Sequence, residues 1–299
     1  MGSRFVPIKI RPVTVLEGIQ KSTEFLAKKG VDSPRLNAEL LLAHVLNMPR
    51  MQLYLSFERA LTGAETDLLR ECIRRRGQRE PWQHVAGSTS FCGLEITVNR
   101  HVLIPRPETE LLAESGWQFL LSLKDSGHAP TALDIGTGSG CIAIALTVKC
   151  PSARVHAVDV SSEALEVAAG NAARHHVQDR IVFLQGDGLA ALPSRLRFDL
   201  VITNPPYIPS AEIETLKPEV RDYDPRLALD GGADGLDCIR RIAAEAGGFL
   251  QPEGRLLLEF GDGQAQQVSA LFEMQNWIVE AIQPDYSQRP RFLIAKPRL

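Results

Sequence analysis

The run Thr131-Ala132-Leu133-Asp134-Ile135, followed by Gly136-Thr137-Gly138-Ser139-Gly140 and then Cys141-Ile142-Ala143-Ile144-Ala145-Leu146, limits the fold more than any other stretch. A short apolar run, three glycines in five residues and an apolar helical segment read as strand, tight turn and helix N-terminus. Such a turn lets backbone amides approach a ligand closely. The spacing also removes one common use of it. A dinucleotide fingerprint needs Gly-x-Gly-x-x-Gly, which would place its third glycine where Cys141 stands.

From residue 131 onward, strand-like runs near 131–135, 154–159, 180–185, 198–203, 254–260, 276–282 and 290–296 alternate with helical segments. That alternation predicts an α/β fold, a mainly parallel seven-stranded sheet covered by helices on both faces. Ligands of such sheets bind beyond the carboxyl ends of the strands. Gly136, Asp159, Gly186-Asp187-Gly188 and Asn204 all follow predicted strand ends, so the fold should gather them. Ser161 or Ser162 is placed to cap the helix after Asp159, with Glu163 in its first turn.

Asn204-Pro205-Pro206-Tyr207 directly follows the apolar run Phe198 to Thr203. Both prolines have φ fixed near −65° and lack an N–H, so the turn is rigid. The Asn side chain and nearby carbonyls can accept hydrogen bonds from an NH2 group, and the Tyr ring can lie against its flat face. An amide or exocyclic amine is a poor nucleophile because its lone pair is delocalised. Holding it in reaction geometry is therefore much of the chemistry. Standing alone, the tetrapeptide would be an ordinary Asn-Pro turn.

The 299 residues, 44% hydrophobic and 23% charged, suggest two domains with ample core. No segment reaches the ~20 apolar residues of a membrane span, and Met1 to Pro7 shows no secretory h-region. Cysteines 72, 92, 141, 150 and 238 form no CxxC pair and the seven histidines show no ligand spacing. Reduced thiols, no metal and a cytoplasmic setting are expected. His175-His176 reads as a helix end.

Residues 1–85 read as a small helical bundle that recognises the substrate, and 86–105 as a β-hairpin linker and hinge. In the head, Leu16, Ile19, Phe25 and Leu26 share one helical face, and Leu36, Leu40, Leu41 and Val45 mark a second helix opened by an N-cap at Ser33-Pro34. Thr62-Gly63-Ala64-Glu65 is a capping box. The head carries 4 Lys and 10 Arg against 9 acidic residues, a net of +5, while the remainder nets −8. Its densest cluster is Arg74-Arg75-Arg76 with Arg79. A basic head could orient a charged partner, or the cluster could be a solvated helix end. In the hinge, Arg106 or Glu108 either belongs to a rigid connection or lines the mouth of a site.

The turn Gly136-x-Gly138-x-Gly140, with Asp134 two residues ahead, resembles the S-adenosylmethionine loop of class I methyltransferases. Four segments then occur in order: Ile104-Pro105-Arg106-Pro107-Glu108-Thr109-Glu110, Asp134 to Gly140, Asn204-Pro205-Pro206-Tyr207-Ile208-Pro209, and Leu227-Ala228-Leu229-Asp230-Gly231-Gly232-Ala233-Asp234-Gly235-Leu236. From about Pro81 to the C-terminus, the set resembles the peptide-chain-release-factor glutamine methyltransferases, the PrmC/HemK family. Asn-Pro-Pro-Tyr alone is shared with adenine-N6 and other amino-methyltransferases; the proline-rich hinge and the Ala228-Leu229-Asp230-Gly231-Gly232 segment are more selective.

The resemblance implies a class I, Rossmann-like catalytic domain over 106–299. It implies methyl transfer from S-adenosylmethionine, leaving S-adenosylhomocysteine, to the side-chain amide nitrogen (N5) of the glutamine in a class I release factor's Gly-Gly-Gln loop. By position, Gly136, Thr137, Gly138, Ser139 and Gly140 would hold the methionine end of the cofactor, Asp159 the ribose, and Asp187 and Gly188 the adenine, with Asp134 and Asn204 also among the cofactor-binding residues. Asn204 and Tyr207 would be catalytic. Asn204 and the Pro205 carbonyl would accept the amide N–H bonds beside Pro206, with Tyr207 over the amide plane. Gly188 stands where some members carry an aromatic, which leaves a backbone contact there. Phe260 replaces a more usual aliphatic, a packing variation. The head would engage the release factor, and a monomer without stable nucleic-acid or membrane binding is expected.

Three other functions are compatible with parts of the pattern. An adenine-N6 or guanine-N2 nucleic-acid methyltransferase would use the same turn, but would need a basic surface that the acidic catalytic part lacks. Another protein's glutamine could be the acceptor. A non-catalytic cofactor-binding module is disfavoured by Asp159 and Asn204-Pro205-Pro206-Tyr207 occurring together.

Overall fold

The computed structural model describes residues 12–123 and 129–298. The segment Met1 to Pro7, read above for a secretory signal, lies outside them. The chain divides into two compact units, Met1–Ala86 and Gly87–Leu299.

The first unit is helical: α1 (Val15–Lys28), α2 (Pro34–Val45), α3 (Arg50–Leu53), α4 (Gly63–Gly77) and α5 (Trp82–Ala86). The capping box at Thr62 and Glu65 starts α4, and a second one, Thr14 with Glu17, starts α1. The core gathers Val15, Ile19, Leu26, Leu41, Leu42, Leu53 and Leu69. The buried stripe of α1 runs through Val15, Gly18, Ile19, Ser22 and Leu26. Phe25 lies to one side of that stripe and is 39% exposed, and Leu36 of α2 is 41% exposed, both against the sequence reading. The Phe25 ring lies over Gly77, where a Cβ would come within 2.5 Å of Cε1.

Ser33 precedes α2 with Pro34 at the first turn, but its side chain makes no cap bond. Its φ of 48° lies outside the extended conformation from which an N-cap oxygen reaches the next turn. Asn37 Nδ2 donates instead to the carbonyls of Asp32 and Ser33, at 3.0 and 3.2 Å. The arginine cluster is engaged internally: Arg74 with Glu71 at 2.7 Å, Arg75 with Glu80 at 2.5 Å, and buried Arg76 donating to Asn37 Oδ1 at 2.7 Å.

The second unit opens with a hairpin, β1 (Ser88–Phe91) and β2 (Leu94–Thr97), turning through Cys92 and Gly93 at φ 52° and 78°. Two positive φ values in a two-residue turn match the twist of a hairpin. Helix α6 (Pro107–Ser122) follows, with proline in its first turn. The sheet comprises β3 (Thr131–Ile135), β4 (Arg154–Asp159), β5 (Ile181–Gln185), β6 (Phe198–Thr203), β7 (Leu250–Glu259), β8 (Trp277–Pro284) and β9 (Pro290–Pro297). Its order is β5-β4-β3-β6-β7-β9-β8, parallel from β5 through β7, with β9 antiparallel to β7 and β8.

Alternating side chains send Ala132, Val155 and Leu200 into one core with α6, α7 (Cys141–Lys149) and α8 (Ser162–Arg174). Leu133, Val158 and Val201 enter a second core with α10 (Asp237–Glu245) and α11 (Ala265–Met274). The short α9 (Pro218–Arg221) lies in the long connection after β6. Phe260 is fully buried in the second core.

The hairpin, expected as a linker, is fastened to the catalytic unit. Asn171 of α8 accepts from Thr97 N–H at 2.8 Å and donates to the Thr97 carbonyl at 3.0 Å. Arg174 pairs with Glu95 at 2.9 Å, and His175, at the end of α8, meets the Glu95 carbonyl at 2.8 Å. All five cysteines are unpaired. Among the described residues no helix is long and apolar enough to cross a membrane, and no group of metal-ligating side chains occurs.

Candidate active site

The strand order reverses between β3 and β6, which are adjacent although β4 and β5 separate them in sequence. Crevices open at such reversals, beyond the strand ends. Thr203 Oγ1 donates to the Ile135 carbonyl at 2.8 Å, locking the two strand ends together. A cavity of about 610 Å³ opens there, within the usual range for small-ligand sites. Gly136, Gly138, Asp159, Asp187, Gly188, Asn204 and Pro206 line it, with Ile135, Val158 and Leu189 as apolar wall and Leu227, Ala228, Asp230 to Gly232 and α10 completing the boundary.

Backbone bonds shape the β3 side. The N–H groups of Gly136 and Thr137 both donate to the Val158 carbonyl, at 2.9 and 3.0 Å. Gly140 has φ 78°, and a Cβ there would come within 3.0 Å of Ala168, so only glycine lets α7 start against α8. Asp134 is fully buried. Its Oδ2 accepts from Thr137 Oγ1 at 2.7 Å and from Ala143 N–H at 3.2 Å, while Oδ1 has no partner. Burial pushes its carboxyl up to about 7. Asp134, Thr137, Ser139 and Gly140 therefore stand behind the cavity wall, where they set the shape of the turn.

Asp159 lies on the wall. Oδ2 accepts from Gly138 N–H at 2.8 Å and Oδ1 from Ser161 N–H at 3.0 Å. Ser161 caps α8 through Ala164 N–H at 3.1 Å. A carboxylate offers about four acceptor sites, so two remain for a pair of hydroxyls. Asp187 is engaged by Arg241 at 3.0 Å, and Gly188 has φ 57°, where a Cβ would lie 4.0 Å from Ile135 Cγ2. The donors and acceptors present fit a nucleoside with a ribose diol. They include no metal-ligand cluster among the described residues.

The β6 side is built from side chains. Asn204 Nδ2 donates to Thr109 Oγ1 at 3.1 Å, and Thr109 Oγ1 donates to Glu259 Oε2 at 2.7 Å. Tyr207 donates its hydroxyl to Glu259 Oε1 at 3.3 Å. Burial raises the Glu259 carboxyl to about 7 and, with Glu259 adjacent, pushes the Tyr207 phenol well above its ordinary range. Pro205 is buried, and the Tyr207 ring packs against the second core rather than lining the cavity.

The segment Leu227 to Leu236 is the partner of this turn. Ile208 donates to the Leu229 carbonyl at 3.0 Å and accepts from Gly231 N–H at 2.9 Å. Ser210 Oγ donates to Asp230 at 2.5 Å. A Cβ on Gly235 would collide with the Tyr207 carbonyl, whose oxygen also accepts from Gln264 at 3.0 Å. Arg106 is held by buried Asp224 at 2.6 Å, and neither Arg106 nor Glu108 lies on the wall.

Thr109 and Glu259 were missed in the sequence. Their signals are slight: Thr109 sits inside the proline-rich hinge, and Glu259 is a lone carboxylate closing an apolar strand.

The reversal of strand order, the glycine turn and Asp159 at the end of the neighbouring strand define a class I methyltransferase fold. The hMettl16 catalytic domain, solved in complex with a 3'UTR hairpin, shares the fold at 15% identity and a TM-score of 0.51, covering 79% of this chain and 82% of that one. Residues 17–87 match the PrmC N-terminal domain family and residues 113–217 the methyltransferase small domain family. Over 284 residues the chain is 45% identical to the release factor glutamine methyltransferase of Chlorobaculum tepidum, covering 94% of this chain and 96% of that protein. It is 43% identical over 259 residues to that of Geobacter sulfurreducens, covering 87% and 88%. The chain belongs to the release factor glutamine methyltransferase family.

Proposed function

We propose that this enzyme transfers a methyl group from S-adenosylmethionine to the side-chain amide nitrogen of the glutamine in a release factor's Gly-Gly-Gln loop. The observation that carries the reading is that Asn204 and Asp159 face one cavity. An amide acceptor and a diol acceptor thus serve the same enclosed space. Family membership supports the choice of acceptor.

When bound, the cofactor supplies an electrophilic methyl group. Asp159 accepts the ribose hydroxyls, the Gly136 to Gly140 turn receives the methionine end, and Asp187 and Gly188 border the adenine. Asp134, Thr137 and Ser139 act from behind by fixing that turn. Asn204 and the Pro205 carbonyl accept the two amide N–H bonds, beside Pro206, so that the nitrogen faces the methyl group. The transfer would put the methyl group on the nitrogen in place of one amide proton, which would leave to solvent, with S-adenosylhomocysteine as the other product. Tyr207 closes the turn behind the acceptor. Positioning of this kind supplies much of the rate for a weak nucleophile. The first unit would dock the release factor, and the enzyme would act as a cytoplasmic monomer.

The test is incorporation of labelled methyl from S-adenosylmethionine into an intact class I release factor, set beside RNA, DNA and a factor whose loop glutamine is replaced. Label only in the intact factor is expected. Label in nucleic acid, or undiminished label in the replaced factor, contradicts the reading.

A further inference from the structure

Thr109 and Glu259 occupy no place in the methyl-transfer reading above, yet they complete a hydrogen-bonded chain that ends on Asn204. Glu259 is buried at the end of β7, and Thr109, equally buried, lies in the first turn of α6. An ionised carboxylate can only accept hydrogen bonds. Thr109 therefore spends its single proton on Glu259 Oε2, at 2.7 Å. Its oxygen is then left only as an acceptor, and the group that meets it, at 3.1 Å, must be the NH2 of Asn204. A primary amide with its NH2 turned away from the cavity turns its carbonyl oxygen toward it. Among the described residues that oxygen has no partner in the chain.

We propose that Glu259, acting through Thr109, is the positioning element that fixes the orientation of the Asn204 amide, so that the site presents an acceptor and selects an NH2-bearing substrate. The proposal rests on the reading of Asn204 as the substrate's hydrogen-bond acceptor. Without the carboxylate, the Thr109 hydroxyl is free to donate to Asn204, the amide turns over, and two NH2 groups would oppose each other at the reaction centre. The charged and titratable groups around Glu259 are Glu108 from α6, Tyr207 after β6 and Arg291 from β9. Burial pushes the Glu259 carboxyl up, the Thr109 hydrogen bond, Arg291 and the Tyr207 hydrogen bond pull it down, and Glu108 adds to the upward push. At neutral pH the carboxylate is therefore on the edge of ionisation, and the direction of the chain should follow its charge.

The test compares Thr109→Val, Thr109→Ser and Glu259→Gln in the full-length enzyme, measuring S-adenosylmethionine affinity by calorimetry and turnover on an intact release factor across pH. Thr109→Val strands the Asn204 NH2, and a stranded buried group costs enough to lower turnover about 10- to 100-fold. Cofactor affinity should change by less than about threefold, since Thr109 is not on the cavity wall. Thr109→Ser keeps the oxygen and should restore most of the loss. The amide introduced by Glu259→Gln can turn either its oxygen or its NH2 to Thr109, so it no longer fixes the direction of the chain. That variant should therefore turn over at the lowered level to which the parent falls in acid, without the rise through neutral pH that the parent shows. Full turnover in Thr109→Val, failure of Thr109→Ser to rescue, or an unchanged pH profile in Glu259→Gln overturns the proposal. Asn204→Ala serves as the control for the underlying reading. If it stays active, the acceptor role itself is wrong; if it is inactive while Thr109→Val is fully active, only the relay is wrong.

Discussion

The two ends of the cavity are made differently. At the end of β3 the wall is mostly backbone: glycine turns, N–H groups pointing at Val158 and Asp159, and a helix start that tolerates no Cβ at Gly140. At the end of β6 it is a relay of side chains, Asn204 to Thr109 to Glu259 to Tyr207, contributed by three separate segments. Backbone geometry suits a cofactor that is the same in every turnover. A side-chain relay suits discrimination, because its polarity distinguishes donors from acceptors. Damage at the two ends should therefore appear in different measurements.

The largest effect is expected at the side-chain end. Asn204→Ala should lower turnover by two to three orders of magnitude, about 3–4 kcal/mol of lost transition-state positioning, with only a modest change in cofactor affinity. Comparable losses in both quantities would break the division between the ends. At the backbone end, Asp159→Ala should weaken S-adenosylmethionine binding by about 1.5–3 kcal/mol in all, read by titration calorimetry. Unchanged affinity would remove Asp159 from the site. Tyr207→Phe should be milder still, about 0.5–1.5 kcal/mol in turnover, because its hydroxyl makes one long bond to Glu259. A loss as large as that of Asn204→Ala would give the hydroxyl a direct role.

A separate effect is on stability. In the folded chain burial raises the Glu259 carboxyl from 4.5 to about 7, so the fold binds its proton more tightly than the open chain does. That contribution is complete below about 4.5 and is lost as pH rises through about 7. Glu259→Gln should therefore show a shallower fall in Tm between about pH 5 and pH 8 than the parent. Equal slopes would mean that Glu259 does not titrate in this window.

The same contrast explains what could be read from the sequence. The glycine turn, Asp159 and Asn204 each sit at the end of an apolar run, and strand ends in an alternating α/β pattern share one edge. Their assembly is a consequence of topology alone. Thr109 and Glu259 lie 95 and 55 positions away from Asn204 in opposite directions, in a helix start and in a strand end that carry no local mark of their role. Their function exists only once α6, β6 and β7 are side by side. The capping box at Thr62 and Glu65 was legible because both partners lie within one turn, although the equally local one at Thr14 and Glu17 was not read. Ser33 misled because its left-handed backbone, not its residue type, decides whether its side chain can cap.

The head shows a further limit. Charge density left Arg74 to Arg76 open either as part of a partner-orienting surface or as a solvated helix end, and in the structure they pair with Glu71, Glu80 and Asn37, the Arg74–Glu71 pair exposed. Clustered charge in a sequence does not separate a surface waiting for a partner from an internal ion network.

The most direct measurement of the account's central claim is the position of the methyl group on a release factor after a single turnover, located by fragment mass spectrometry of the loop peptide. The account predicts one methyl group on the side-chain amide nitrogen of the glutamine in Gly-Gly-Gln, absent from reactions with Asn204→Ala. A methyl group on any other atom, or on the same atom at an undiminished rate with Asn204→Ala, would contradict it.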